Sequence, residues 1–362
     1  MKIAVAMSGG VDSSVAAWIL RQAGHEVVGF FMRNWRQEDG FCTAKKDFID
    51  ALAVAEQLDI DFEFVDFSEE YEKNVFSRFL YDLEKGLTPN PDVLCNSEIK
   101  FSLLWNFAGN LGAEALATGH YAGISHDRGG YRLLRARDPL KDQCYFLYRL
   151  GQEELSRTLF PLENLCKGDV RLLAREAGLH VEDKKESMGI CFIGKRPFRA
   201  FVEKFLPVCP GPIFTIEGKR VGEHQGLHFY TIGQRQGLGI GGAGKPWYVA
   251  EKDLAGNALV VAQGKEHPIL WKTALFANDL HWVYSPPLAG EKLGAKVRHG
   301  PAEAWASFFP SESGAWLIFD APQWGLTPGQ AVVLYRGEEC LGGGTIAKTG
   351  LPETRGNLCL AS

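Results

Sequence analysis

Several features are missing from this sequence, and each absence excludes something. No run of about 18 apolar residues, the usual signature of a spanning helix, occurs in the 362-residue chain. The first seven residues are apolar apart from Lys2, but Gly9, Gly10 and Asp12 follow at once. A secretory signal needs a basic start, a longer apolar run and a small-residue cleavage site. A soluble, cytoplasmic protein with no membrane partner is therefore expected. CxxC pairs are also missing from the eight cysteines, Cys42, Cys95, Cys144, Cys166, Cys191, Cys209, Cys340 and Cys359, which argues against a zinc ribbon. In a reducing compartment most are free thiols, each by default a small buried hydrophobe. Excess positive charge is absent too: the net charge of −5 argues against a generally basic nucleic-acid binder. An RNA partner would need a local basic face. Residues 141–204, with 12 Lys and Arg against 10 Asp and Glu, are a weak candidate. Finally, no GxxxxGK[ST] occurs, so no Walker lysine reaches a γ-phosphate.

What is present organises the chain into two or three domains. Residues 1–120 alternate strand-like and helix-like segments. Strands are expected at 2–7, 27–32, 62–67 and 115–118. A helix follows from Val15, Ala16, Ile19 and Leu20 at helical spacing, stopped by Gly24, and another from Phe48, Ile49, Leu52 and Ala55. That alternation predicts a parallel sheet covered on both faces. Residues 121–150 contain a hairpin turning at Asp127-Arg128-Gly129-Gly130. Residues 152–205 read as a helical extension. Pro207, Pro210, Gly211 and Pro212 mark a linker, and beyond it Gly, Val, Trp and Tyr dominate. The expected domains are 1–206, a small β domain at 207–271 and a β-barrel at 272–362.

The turn Ser8-Gly9-Gly10-Val11-Asp12-Ser13-Ser14 lies between the first strand and first helix. Glycines let the backbone approach a ligand closely, and amides at a helix N-terminus face an anion. Serine hydroxyls add donors, and Asp12 is placed to help hold Mg2+. The alternative is an ordinary capped turn. A second glycine run, Gly237-Leu238-Gly239-Ile240-Gly241-Gly242, looks dinucleotide-like, but no helix follows it, so it reads as turns.

Two cysteine loops carry further chemistry. In Thr88-Pro89-Asn90-Pro91-Asp92-Val93-Leu94-Cys95-Asn96, two prolines stiffen an extended segment and Asn96 or Ser97 is expected to cap the next helix. Cys95 would then sit near a helix N-terminus, where a thiolate is stabilised, with Asp92 facing the same site. The other loop, Ser187-Met188-Gly189-Ile190-Cys191-Phe192-Ile193-Gly194, is flanked by glycines and surrounded by Lys184, Lys185 and Lys195.

These motifs resemble a known family. SGGVDSS is similar to the pyrophosphate loop of enzymes that split ATP into AMP and pyrophosphate. FMRNW (31–35), TPNPDVLCN (88–96), ATGHYA (117–122), KDQCYFLY (141–148), GICFIG (189–194), YTIGQRQGLGIGG (230–242), PGQAVVLY (328–335) and CLGGGTI (340–346) resemble, in order, the bacterial tRNA-specific 2-thiouridylase family. The resemblance implies a Rossmann-like, adenine nucleotide alpha hydrolase-like α/β domain with a helical tRNA-binding extension, a small β domain and a C-terminal β-barrel. It implies that Ala6, Met7, Ser8, Gly9, Gly10, Val11, Asp12 and Ser13 bind ATP, with Met32 and Gly119 near the adenine or ribose. Asn90, Pro91 and Asp92 would meet the target base. Cys191 would carry a persulfide and Cys95 would resolve it, with Asp92 as acid–base. Lys141, Asp142, Gln143, His120, Arg298, His299 and Gln330 would contact tRNA. The family's barrel contact is commonly an Arg-Tyr pair followed by Arg. Here Arg298-His299-Gly300 keeps the first cation and a ring able to stack, and lacks the last cation. For His120 a strand-end cap, and for residues 141–143 a solvated turn, are the structural alternatives.

The implied reaction is ATP-dependent 2-thiolation of the wobble uridine in tRNA anticodons, on Lys, Glu and Gln acceptors, with sulfur from a cysteine desulfurase or relay protein. The rival readings are a pyrophosphate-loop synthetase acting on a small molecule, which leaves both cysteine loops unexplained, and a non-catalytic RNA-binding module, which leaves the phosphate loop unexplained. Joint ligation of an iron–sulfur cluster by Asp92, Cys95 and Cys191 is the lesser reading without a CxxC.

Overall fold

A computed structural model describes residues 1–36, 44–185, 192–194 and 196–351. The N-terminal part begins β1 (Lys2–Ala6), α1 (Val11–Gln22), β2 (Glu26–Arg33), α2 (Ala44–Leu58), β3 (Asp61–Asp66) and, later, β4 (Ala115–Thr118). These strands form a parallel sheet in the order β3-β2-β1-β4, with the short strand Thr158–Leu159 beside β4. Alternate residues along β1 and just past it enter different cores: Ile3, Val5 and Met7 pack with α1 and α2, while Ala4 and Ala6 pack on the opposite face with Phe76, Phe79 and Phe101. Burial on both faces explains why β1 and β2 read as continuous apolar runs. Each fully buried large side chain stabilises the fold by about 1.5–3 kcal/mol.

The extension at 152–205 is less helical than its composition suggests. It holds the helices Gln152–Ser156, Lys167–Glu176 and Phe198–Val202, the first two of them separated by the edge strand Thr158–Leu159. Pro161, Gly178 and Pro197 punctuate it, and β4 offers an unpaired edge that captures Thr158 and Leu159. Aromatic packing secures the extension: Trp35 lies 4.6 Å from Phe76 and 5.7 Å from Phe192, ring to ring.

The middle sheet contains Gly211–Thr215, Arg220–His224, Trp247–Asp253 and Ala258–Gln263. Next comes a six-stranded antiparallel barrel from Trp271 to Thr349, closed by pairing of its first and last strands. Gly342 makes that closure possible, because a Cβ there would lie 2.1 Å from the His281 carbonyl oxygen of the first strand, and Gly343 likewise lets the last strand lie against Val332 of the strand before it. The hairpin Ala122–Asp127/Gly130–Arg135 turns where the sequence places it. It extends the barrel sheet, however, pairing Leu133 with Cys340 and Leu134 with Glu339. A hairpin from the N-terminal half of the chain is thus joined to the barrel by main-chain pairing.

Candidate active site at the carboxyl edge of the parallel sheet

The phosphate loop follows β1 directly. Gly9 has φ +70°, and a Cβ there would stand 2.1 Å from the Asp47 carbonyl oxygen of α2. Only glycine meets both constraints. Gly10 is the N-cap residue of α1 and supplies no side-chain cap, so the first amides of the helix are left to an incoming anion. The Ser13 and Ser14 hydroxyls donate to the Gly10 carbonyl, at 3.2 and 2.9 Å. They hold the turn rather than point at a ligand. Ala6, Met7, Val11 and Ser13 are buried, while Ser8, Gly10, Asp12 and Met32 keep exposed surface. Gly119, just past β4, packs on the loop so closely that a Cβ would lie 2.6 Å from the Ser13 nitrogen.

Three partners of this loop escape sequence reasoning. Lys167 Nζ lies 2.7 and 2.8 Å from the two Asp12 carboxylate oxygens, and Tyr121 Oη donates to Asp12 at 2.8 Å. Lys184 Nζ donates to the Gly9 carbonyl at 2.8 Å and to Asp47 at 2.7 Å, and it also pairs with Asp50. These two carboxylates hold the Lys184 ammonium above its usual range against the effect of burial. Long separations along the chain hide such pairs. Lys184, read from sequence as charge around Cys191, serves the phosphate loop.

The cysteine loop differs from expectation. Its helix starts at Pro91, five residues before the earlier expected cap, with Asn90 as N-cap accepting from the Asp92 amide at 3.3 Å. Helical winding continues through Cys95–Leu104 with i→i+5 bonds and on through Trp105–Asn110. Such π-winding often marks functional sites. Cys95 therefore sits in the second turn, buried in the apolar core, and burial pushes its thiol up to about 11. The stabilised thiolate expected from sequence is absent: desolvation outweighs the helix terminus. Burial also raises the Asp92 carboxyl, and Lys100 opposes both shifts.

Lys100 is the other residue that sequence reasoning missed. Its ammonium donates to Asn96 Oδ1 at 2.9 Å and faces His120 Nε2 at 3.5 Å. An ammonium only donates, so His120 carries its proton on Nδ1, which faces Thr118 Oγ1 at 2.8 Å. Burial and Lys100 keep this imidazole well below its usual range and hence neutral. The only feature that pointed to Lys100 was its i+5 spacing from Cys95.

The remaining expected RNA contacts divide. Asp142 is sealed inside, its carboxylate 3.1 Å from Lys296 Nζ, with side-chain exposures of 1% and 2%. That corrects its reading as a surface contact. Lys141 and Gln143 beside it are half-buried, and Gln143 Oε1 accepts from the Tyr121 amide. His299 stacks obliquely on Phe146 at 4.6 Å. Arg298 donates to the carbonyls of Gly325 and Ile232, so its guanidinium ties the barrel to the middle domain. Gln330 Nε2 donates to the Thr88 carbonyl at 2.7 Å, and the Thr88 amide donates to the Pro328 carbonyl at 2.9 Å. The barrel thus clamps the loop carrying Asn90, Pro91 and Asp92. Cys191 lies outside the described residues.

One edge of the sheet gathers these parts. The phosphate loop leaves β1. Asn34, just past β2, places Nδ2 3.9 Å from Cys95 Sγ. Gly119 and His120 leave β4. The carboxyl ends of parallel strands are where open α/β sheets bind ligands.

Comparison with known proteins agrees with this geometry. Family models described as tRNA methyl transferase HUP domain, tRNA methyl transferase PRC-barrel domain and aminomethyltransferase beta-barrel domain match residues 1–195, 199–263 and 272–346. The chain is similar to a protein of Nitrosomonas eutropha named tRNA-specific 2-thiouridylase MnmA, 52% identical over 353 residues covering 95% of this chain and 98% of that protein. It is similar to one of the same name from Burkholderia thailandensis, 49% identical over 374 residues covering 99% and 97%.

Proposed function

Because the chain belongs to the tRNA-specific 2-thiouridylase family, we propose that it uses ATP to replace the C2 oxygen of the wobble uridine in tRNA anticodons with sulfur. The observation that carries this reading is the shared sheet edge, where a nucleotide loop and an Asp92–Cys95–Lys100 cluster stand together. The matching family models speak of a methyl transferase and the relatives of a thiouridylase. Identity near 50% over almost the whole length favours the latter.

Uracil O2 attacks the α-phosphorus and pyrophosphate leaves, its charge met by the amides of residues 8–13. C2 now carries AMP, a good leaving group. The terminal sulfur of a Cys191 persulfide bonds to C2 and AMP departs. Cys95 thiolate then attacks Cys191 Sγ. The persulfide S–S bond breaks toward the nucleoside, leaving thiouridine and a Cys95–Cys191 disulfide for an external thiol to reduce. Cys95 must first lose its proton, and Asp92 and Lys100 are the groups beside it that act on that step. A wobble base already lies outside a duplex, so it reaches the pocket without unpairing.

Asp12 is paired with Lys167, and no cluster of three or more His, Cys, Asp or Glu poised for a metal exists among the described residues. These residues fit Mg2+ held chiefly by ATP's own phosphates, as is usual for this ion. The division at 206 and 271 separates the catalytic unit from two units that clamp its base-facing loop. Lys, Glu and Gln tRNAs, and a desulfurase or relay protein supplying the persulfide, complete the reading. Among the described residues no helix is long and apolar enough to cross a membrane, and we place the enzyme in the cytoplasm.

The test is nucleoside analysis of tRNA incubated with the protein, ATP, magnesium, a desulfurase and cysteine. 2-Thiouridine with matching AMP and pyrophosphate is expected. A methylated nucleoside instead, or ATP cleavage that tRNA does not stimulate, overturns the proposal.

A further inference from the structure

We infer that residues 235–247 of the middle domain form a subsite for a phosphodiester of the RNA strand, beside the loop that meets the target base. The inference rests on the tRNA reading above and extends it to a segment with no assigned role. The segment lines a cavity of about 380 Å³ whose walls include Arg235, Gly237, Gly239, Gly241, Lys245 and Trp247. Its position follows from what precedes it: Thr231 Oγ1 lies 3.5 Å from Thr88 Oγ1, and the Gly233 amide donates to the Val249 carbonyl at 2.8 Å. Arg235 is thus four residues from a contact with the loop that carries Asn90 and Asp92.

The glycines here are not all required by the fold. Gly237, Gly239, Gly242 and Gly244 have φ between +67° and +124°, which L side chains rarely adopt. Gly241 has no such backbone, and a Cβ on it would meet nothing within 4 Å. Packing gives no reason for glycine at 241, whereas close approach by a ligand does. Backbone bared in this way presents amides to an anion. Arg235 is exposed and makes no ion pair with a described residue, while Lys245 is paired with exposed Glu266. One uncommitted guanidinium beside bare amides suits a single phosphate. A dinucleotide would want a helix N-terminus, and here the strand Trp247–Asp253 follows instead.

The test uses the full-length protein and tRNA. Arg235→Gln should weaken binding several-fold for any tRNA and lower the slope of log K against log salt by about one contact. Gly241→Val, which meets no neighbour in the free protein, should weaken tRNA binding without lowering Tm. If Gly241→Val does lower Tm, the Arg235 variant still decides. Wild-type affinity and slope in Arg235→Gln overturn the inference while leaving the proposed function standing. Unchanged affinity with lost sulfur incorporation also overturns it and points to a protein donor. If the wild-type protein binds no tRNA, the functional reading itself has failed.

Discussion

The phosphate loop and the thiol pocket share one sheet edge but are built on opposite principles. The loop is made of backbone: a left-handed Gly9, an uncapped helix start and carboxylates already paired with Lys167 and Lys184. It needs no change of protonation to receive an anion. The pocket is made of side chains in an apolar core, where Cys95 is neutral and Asp92 is raised. A nucleophile held as a neutral thiol is inert at rest. The difference teaches that the loop is ready for an anion before any substrate arrives, whereas the thiol, under the mechanism proposed above, must first be deprotonated.

The largest expected effect breaks the first half. Gly9→Val meets a left-handed backbone, costing an L residue roughly 1–2 kcal/mol, and a carbonyl 2.1 Å from its Cβ. Loop and α2 must then move apart. tRNA-dependent pyrophosphate release should fall by at least ~100-fold, the scale of losing one oriented donor or more. Release at the parent rate would end the loop's assignment. Next, Cys95→Ser should separate the halves. Pyrophosphate release continues, a persulfide still forms on Cys191, and no thiouridine accumulates. Mass spectrometry after desulfurase and cysteine treatment should find the added sulfur on the Cys191 peptide. Finding it on the Cys95 peptide of the parent protein, with none on Cys191, would reverse the roles.

Much of the loop was legible because its determinants are local. A strand, two glycines and a helix start lie within a few residues, and the fold follows from such periodicities. The parallel sheet, the hairpin turn and the late β-rich domains were legible for the same reason. What could not be read is what burial and distance decide. Nothing local tells that Asp142 meets Lys296 of a barrel strand, that Lys167 reaches Asp12, or that Thr158 and Leu159 join β4. The state of Cys95 was misjudged for a related reason: its helix begins at Asn90-Pro91, not after it, and tertiary packing then removes the thiol from water.

The pocket's neutral thiol can be titrated. Alkylation of Cys95 in the resting protein should stay slow through neutral pH and rise toward about 11, where the thiolate forms. The sign follows from burial, which disfavours the charged form. Lys100→Met removes the cation that opposes that shift, so the inflection should move higher still and thiouridine formation should slow more than pyrophosphate release. An inflection near that of an ordinary thiol, measured by peptide-resolved alkylation, would show that the pocket is open at rest and erase the contrast with the loop.

The smallest effect concerns the grip on RNA that serves both halves. Lys141 and Asp142 are neighbours with different fates, one half-buried near the surface and the other in a sealed ion pair. Lys141→Ala should weaken every tRNA by a few-fold and reduce the salt slope by about 0.9. Because binding precedes both adenylation and sulfur transfer, the KM for tRNA should rise equally in the pyrophosphate and thiouridine assays. Asp142→Asn should behave otherwise. It leaves Lys296 buried without its anion, a loss of about 3–5 kcal/mol, so Tm falls before affinity does. A KM change in only one assay for Lys141→Ala would mean that the grip serves one centre alone. An unchanged slope would move the contact to another cation, Arg235 being the first to try.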